Sequence, residues 1–365
     1  MKKFRVGILG ATGHVGQCFV LLLNDHPWFE ITVLMASPRS QGRTYVDAVG
    51  DHWRMDEPMP DKVKEMLVRG TDEIDHLKSQ VDFVFSAVDM EKDALIQLEE
   101  TIAKAEIPVI SNNSAMRWTP DVPLIIPEIN PDHSALIEAQ RKRLGTKRGF
   151  IVAKPNCSIQ SYVPALTPLM GFGIEEVFVT TYQAVSGAGR RLSDWPEMQS
   201  NVIPFISGEE EKSEWEPLKI WGTMRGDRIE MARKPIISSQ CVRVPVEFGH
   251  LAAVFVRFRR PIESTDILMR WRDFASEAGE ANLPSAPRPF LRYFEETDRP
   301  QPKYDASSRH GMGISIGRLR EDPIFDYKFV CLSHNLIRGA AGGAILTAEL
   351  LVHQGWLDYS INGSR

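Results

Sequence analysis

The chain is poor in the features that mark small secreted, metal-stapled or membrane-spanning proteins. Its 365 residues hold 4 cysteines, Cys18, Cys157, Cys241 and Cys331. They lie too far apart for a C-x-x-C zinc or redox pair and read as free thiols in a reducing cytoplasm. Basic residues are not in excess: 43 Lys and Arg against 48 Asp and Glu give a net charge of -5, which argues against nucleic acid or an anionic membrane as the main partner. Lys2, Lys3 and Arg5 imitate the start of a signal peptide, but Gly7, Gly10, Gly13 and Gly16, with His14 and Gln17, interrupt the apolar stretch behind them. The next run, "CFVLLL", falls far below the roughly 18 residues of a membrane span. No internal repeat or low-complexity tract stands out. At roughly 150 residues per domain, the length predicts two domains, each able to bury its own core.

What is present alternates. "FRVGILG" is a β-branched and apolar run closed by glycine, and residues 14–26 then carry apolar side chains at helical spacing before Pro27, which predicts strand, tight turn and helix. "EITVLMA", "VDFVFSA" and "IPVISN" read as further strands and "ALIQLEETIAKA" as a helix, so the first half is a parallel, doubly wound sheet. Residues 38–80 show little pattern, and "WRMDEPMPD" reads as an exposed loop. After "GFIVAKPNC" the stretches "EVFVTTYQAV" and "VRVPVEFGHLAAVFVRF" are longer and strand-like, predicting a mostly antiparallel second domain. Residues 283–304 hold five prolines and read as an ordered, extended excursion. Residues 333–357 read as one closing helix.

Gly10, Gly13 and Gly16 follow the first strand and open the first helix, the place where backbone N–H groups and the helix dipole meet a dinucleotide pyrophosphate. The glycines alone also fit a ligand-free βα turn; the βαβ setting favours the ligand. An NAD site usually ends the second strand with Asp or Glu. Here that end reads "MASPRSQGR", with Ser37, Arg39, Ser40 and Arg43 and no carboxylate before Asp47. Hydroxyls and guanidinium groups suit a 2′-phosphate, so NADP is expected over NAD; a solvated basic loop is the alternative.

Cys157 follows Pro155 at the expected start of a helix, whose dipole would lower the thiol pKa. Position alone still favours an inert buried cysteine, the reading kept for Cys18, Cys241 and Cys331. Beside a nicotinamide cofactor, however, a nucleophilic thiol can form a thiohemiacetal and a thioester. Such chemistry needs an acid/base and cations for an anionic acceptor. His250 and Arg243 in the strand-rich region, and Asn112, Ser114 and Arg117 after a parallel strand, are candidates that remain ambiguous one by one.

The blocks "GATGHVGQ", "SNNSAMRW", "PNCS", "QAVSGAG", "NVIPFISGEEEK", "RVPVEFGH", "RPQPKYD", "GRLRED" and "HNLIRGAAGGAILTAELL" occur in that order. Together they resemble the aspartate-semialdehyde dehydrogenases, specifically their archaeal and fungal branch, over nearly the whole chain. The resemblance implies Cys157 as nucleophile, His250 as general acid/base and Gln183 as the group orienting the thiol and acyl intermediate. It implies Arg243 for the substrate α-carboxylate, Glu209 for its ammonium, and Arg117, Asn112 and Lys212 for phosphate. The cofactor loop would comprise Gly10, Thr12, Gly13, His14, Val15 and Gly16, with Ser37, Arg39 and Ser40 on the 2′-phosphate and Ser186, Gly187 and Asn335 on the nicotinamide half. The implied fold is an N-terminal Rossmann-like doubly wound parallel sheet plus an α+β catalytic and dimerisation domain with a mostly antiparallel sheet. Residues 1–155 and 335–365 would form the NADP-binding domain and residues 156–334 the second domain, in a homodimer or dimer of dimers.

The implied activity is NADP-dependent reductive dephosphorylation of L-4-aspartyl phosphate to L-aspartate 4-semialdehyde, in biosynthesis of the aspartate family of amino acids (lysine, threonine, methionine), without a metal. A related acyl-CoA reductase such as malonyl-CoA reductase is the nearest alternative, and a catalytically silent NADP-binding regulatory protein a more distant one. Two departures stand out. Phe248 and Leu251 flank His250 where the family commonly has Asp and Thr, so less hydration should lower the His pKa. "GAGRRLSDWPEMQ" differs from the family's shorter glycine-rich patterns.

Overall fold

Strands buried on both faces read as continuous apolar runs, and the first half of the chain supplies them. A computed structural model describes residues 2–358 and places β1 (Phe4–Leu9), β2 (Phe29–Ala36), β3 (Val68–Gly70), β4 (Phe83–Ser86), β5 (Val109–Ser111) and β6 (Ile151–Ala153) in one sheet. The order is β3-β2-β1-β4-β5-β6, and every pairing is parallel. Helices His14–Leu23 and Lys92–Lys104 are the expected ones. Because the order reverses between β1 and β4, their carboxyl ends open a crevice, the place where doubly wound sheets bind ligands. Residues 38–80, where the sequence shows little pattern, contribute the three-residue edge strand β3. An element that short cannot display an alternation.

The second sheet is built from β7 (Ile174–Gln183), β10 (Ile236–Arg243), β11 (His250–Phe258), β12 (Leu291–Phe294), β13 (Ile314–Glu321) and β14 (Tyr327–Ser333); β8 (Thr223–Arg225) and β9 (Arg228–Glu230) form a separate ribbon. Its order is β10-β7-β11-β14-β13-β12. The three pairings from β7 to β13 are antiparallel and the two outer ones parallel, so the sheet is mostly antiparallel. The apolar stretch over residues 242–258 divides into β10 and β11, because the segment around Pro245 leaves the ladder. The proline-rich excursion holds β12, which pairs in parallel with β13.

The closing segment corrects the expectation of one helix. β14 takes Ser333, a π-turn spans Ile337–Ala341, and the regular helix begins at Gly342 and runs to His353. The break falls at Ala340, with φ -139° and ψ -105°. Contact with the Cys157 loop accounts for it: a Cβ on Gly339 would lie 2.7 Å from Cys157 Cβ. Within the turn Arg338 is buried and donates to both carboxylate oxygens of Glu128 at 2.6 Å, and to Gln160 Oε1 at 3.2 Å. The helix Gly342–His353 is apolar around nearly its whole circumference and packs in the core that also holds Phe19, Phe85 and Val152.

The Arg338–Glu128 pair generates a test. Removing one partner leaves the other charge buried and unpaired, so Arg338→Met should destabilise the fold by about 3–5 kcal/mol. The double variant Glu128→Leu, Arg338→Met should recover most of the loss, as read from urea denaturation midpoints. Equal loss in both variants would mean that packing of the arginine stem, not charge pairing, holds the turn.

Candidate active site

The crevice is lined first by the glycine loop. Gly10 has φ +82°, and a Cβ there would sit 2.3 Å from the Ala87 carbonyl oxygen; one on Gly16 would sit 2.1 Å from that of Gly10. Only glycine allows strand, loop and helix to approach so closely. Thr12, Gly13, His14, Ser37, Arg39 and Ser40 share a cleft of about 420 Å³. Val15 is partly buried on the first helical turn. Both ring nitrogens of His14, and both amide atoms of Asn112, are buried without a partner. Unpaired donors beside a helix N-terminus fit a phosphorylated dinucleotide, and the exposed Arg39 with Ser37 fits its 2′-phosphate.

Across the crevice, adjacent strand ends assemble the reactive groups. Arg243 at the end of β10 stands opposite Gln183 at the end of β7. Leu251, next to His250, stands opposite Tyr182, and His250 opposite Ser333. One edge of the sheet therefore presents Arg243, Gln183 and His250 together. His250 Nε2 lies 3.4 Å from Cys157 Sγ. The backbone N–H of Ala184 donates to Nδ1 at 3.1 Å, which assigns the ring proton to Nε2, facing the sulfur. Burial, then the charges of Arg243 and His334, hold the His250 pKa well below its ordinary value, in the direction expected from Phe248 and Leu251. Gly187 packs on this group: a Cβ there would lie 3.0 Å from Arg243 Nη1 and from His250 Cε1. Asn335 accepts from Gly249 N–H at 2.8 Å and donates to Ser186 Oγ at 2.9 Å.

The expectation for the thiol needs correction. Cys157 caps a single 3₁₀ turn, Ser158–Gln160, rather than an α-helix. So short a turn aligns too few peptides to supply a useful dipole. Burial and the Glu209 carboxylate raise the Cys157 pKa, against the lowering pull of Lys154, Arg117 and Arg243. The other three cysteines are buried; burial raises Cys18 to about 12 and Cys241 to about 11.

The charged candidates are tied into one network. Glu209 accepts from Asn156 Nδ2 at 2.9 Å, Gln183 Nε2 at 3.1 Å and Lys212 Nζ at 2.9 Å. Although burial opposes ionisation, Lys212 and these hydrogen bonds keep its pKa below the ordinary value. Arg117 pairs with Glu216 at 2.8 Å and donates to the Asn112 carbonyl at 2.9 Å. The second Glu216 oxygen accepts from Asn156 N–H at 2.6 Å. Arg243 Nη1 donates to the Ala184 carbonyl at 2.6 Å. Sequence reasoning passed over Asn156, Glu216 and Lys154, which burial lowers to about 7. A signal existed for Glu216, because Glu209, Lys212 and Glu216 fall at i, i+3 and i+7 on one helix face.

Two sequence families match this chain: "Semialdehyde dehydrogenase, NAD binding domain" over residues 5–137 and "Semialdehyde dehydrogenase, dimerisation domain" over residues 166–338. A dinucleotide cleft, a cysteine in the loop that follows the first sheet and a histidine on the second sheet thus define the chain as a semialdehyde dehydrogenase. It is 42% identical over 354 residues to aspartate-semialdehyde dehydrogenase of Archaeoglobus fulgidus, spanning 96% of this chain and 99% of that protein. It is also 42% identical over 364 residues to the Aspergillus fumigatus protein of the same name, spanning 97% and 99%. The crystal structure of aspartate-semialdehyde dehydrogenase with NADP from Candida albicans superposes with a TM-score of 0.86 at 37% identity, over 97% of this chain and 100% of that one. The chain belongs to the aspartate-semialdehyde dehydrogenase family.

The raised thiol pKa sets a pH dependence. Thiolate is the reactive form, and its fraction falls about tenfold for each unit below the pKa. Alkylation of Cys157 by iodoacetamide should therefore climb continuously from pH 6 to pH 9 in the ligand-free protein, followed by mass spectrometry of the labelled peptide. A plateau reached below pH 7 would contradict this electrostatic account.

Proposed function

We propose that this chain catalyses the NADP-dependent reductive dephosphorylation of L-4-aspartyl phosphate to L-aspartate 4-semialdehyde. The observation that carries the reading is the approach of His250 Nε2 to Cys157 Sγ, 3.4 Å, at the mouth of the dinucleotide crevice. The Cys157 thiolate attacks the acyl carbon; a C–S bond forms, the C–O bond to phosphorus breaks, and inorganic phosphate leaves a thioester on the enzyme. NADPH, when bound, supplies the hydride that reduces such a thioester. As general acid/base, His250 carries its proton on Nε2, hydrogen-bonds to the thiolate, lends that proton to the oxygen that gains charge and takes it back as the aldehyde forms. Collapse breaks the C–S bond, returns the thiolate to Cys157 and releases the aldehyde. Gln183 orients the acyl group, and no step requires a metal.

In this reading Arg243 holds the substrate α-carboxylate, Glu209 the ammonium, and Arg117, Asn112 and Lys212 the phosphate. Gly10, Thr12, Gly13, His14, Val15 and Gly16 cradle the pyrophosphate. Ser37, Arg39 and Ser40 take the 2′-phosphate, and Ser186, Gly187 and Asn335 the nicotinamide half. We assign residues 1–155 and 335–365 to the cofactor-binding domain, of which residue 1 and residues 359–365 lie outside the described residues, and residues 156–334 to the catalytic and dimerisation domain. A homodimer or dimer of dimers is supported by the matched dimerisation family and by the exposed Phe178 and Tyr182 on β7. Among the described residues no helix is long and apolar enough to cross a membrane, and we place the enzyme in the cytoplasm.

The test is phosphate-dependent NADP reduction with aspartate semialdehyde, run beside CoA-dependent oxidation of malonate semialdehyde. Cys157→Ala should abolish turnover and keep NADPH affinity within about twofold. Lys212→Ala should raise the KM for phosphate, and Glu209→Gln should impair use of the semialdehyde, each by more than about tenfold in efficiency. Faster CoA-dependent turnover, with Glu209→Gln silent, would replace the amino-acid substrate by an acyl-CoA.

Cofactor choice gives a separate measurement. Arg39→Ala should raise the KM for NADP by roughly tenfold and leave that for NAD unchanged, because only NADP carries the 2′-phosphate. Equal effects on both cofactors would remove Arg39 from that role.

A further inference from the structure

Arg54 and Arg191 bridge the two halves of the crevice and have no part in the assignments above. The Arg54 backbone N–H donates to Gln17 Oε1 at 2.7 Å. The Gln17 amide donates in turn to the carbonyls of Thr12 at 2.9 Å and His52 at 3.0 Å, so the segment is fixed to the glycine loop. The Arg54 side chain then crosses to the second half, where Nη1 donates to the Gly189 carbonyl, just beyond Ser186 and Gly187. Arg191 returns the contact, with Nη2 donating to the Arg54 carbonyl at 2.5 Å. The next residue, Leu192, anchors that loop through its N–H to Glu247 Oε2 at 3.0 Å.

Charge at this bridge is not balanced. Asp194 approaches Arg54 to 3.8 Å and Asp56 approaches Arg191 to 4.0 Å, and these acids are 50% and 83% exposed. Long, solvated pairs of this kind neutralise little. Into the same cleft points His14, 9% exposed, the first residue of the helix His14–Leu23, with neither ring nitrogen partnered. Its pKa is lowered to about 4 by burial, then by Arg54 and Arg191. A neutral imidazole, the N–H groups of a first helical turn and two guanidinium groups make a donor array suited to an anion.

We propose that Arg54 and Arg191 clasp the pyrophosphate of the bound dinucleotide from the side opposite the glycine loop, with His14 as a neutral donor beside it. The proposal rests on the dinucleotide reading of the cleft and extends it to a cation pair shared between both halves of the chain. The pyrophosphate is favoured over the 2′-phosphate because Arg54 is tied through Gln17 to Thr12 of the glycine loop and lines the cleft with Gly13 and His14 at the helix N-terminus, whereas Arg39 and Ser37 stand at the end of β2. The clasp therefore contributes to affinity for NADP and NAD alike and takes no part in choosing between them.

Arg191→Gln, Arg54→Gln and the conservative Arg191→Lys separate this role from a structural one. Dissociation constants for NADPH and NADH are read from nicotinamide fluorescence, and those for ADP and 2′-AMP from competition. Each Gln variant should weaken NADPH, NADH and ADP by about tenfold and leave 2′-AMP unchanged, while Arg191→Lys keeps most of the affinity and the salt dependence. Unchanged binding in both Gln variants overturns the clasp, as does a loss confined to NADPH and 2′-AMP, which would move the arginines to the 2′-phosphate. A wild-type protein that binds neither dinucleotide overturns the cofactor reading and the clasp together, so the two failures are distinguishable.

Discussion

Burial around Cys157 makes an unpaired charge there costly. An unpaired carboxylate or guanidinium out of water costs several kcal/mol, more than a small domain can carry repeatedly. The architecture answers with matched pairs around Cys157: Glu209 with Lys212, Arg117 with Glu216, and Arg338 with Glu128. Each joins segments distant in sequence or fixes a helix face. Asn156, immediately before Cys157, touches both Glu209 and Glu216, so the position of the thiol is set by the ion-pair network as much as by the backbone.

The two sheets contribute differently to that pocket. The parallel sheet supplies a crevice at a topological switch point, which is a property of strand order and needs no particular side chain. The mixed sheet supplies register. Because Arg243 stands opposite Gln183 and His250 opposite Ser333, three candidate site residues arrive at one edge as a consequence of hydrogen-bond pairing. The π-turn at Ile337–Ala341 then presses Gly339 against Cys157 from the cofactor side. A slip of one residue in β10 or β11 would turn Arg243 or His250 to the opposite face, so sheet register and catalytic geometry are one constraint.

Much of this is legible in the sequence because it is local. β1, the glycine loop and the first helix follow from apolar spacing and from glycines at fixed offsets, and β7 from a long β-branched run. The misses share a cause in tertiary contact. The helix expected at Cys157 is broken into a 3₁₀ turn at Ser158–Gln160, an α-helical turn at Val163–Leu166 and a 3₁₀ stretch at Thr167–Phe172, and the closing helix breaks at Ala340, where Gly339 packs on Cys157. No periodicity reports such an encounter between residues so far apart in the chain. β3 escaped because its three residues pair only at the sheet edge. Glu216 was readable from its spacing to Glu209; its partner Arg117, far away in sequence, was not.

The network also bears on substrate choice. In the ligand-free protein Lys212 and Glu209 neutralise one another across 2.9 Å. On the proposed reading, a substrate carrying both an ammonium and a phosphate exchanges that single pair for two, Glu209 to ammonium and Lys212 to phosphate, so neither protein charge is left bare. A substrate with phosphate but no ammonium draws Lys212 away and strands Glu209 with only the amides of Gln183 and Asn156. On that reading, the cost of leaving a buried carboxylate without its cation offsets the new phosphate contact. Discrimination therefore comes from the penalty on the wrong ligand as much as from attraction to the right one.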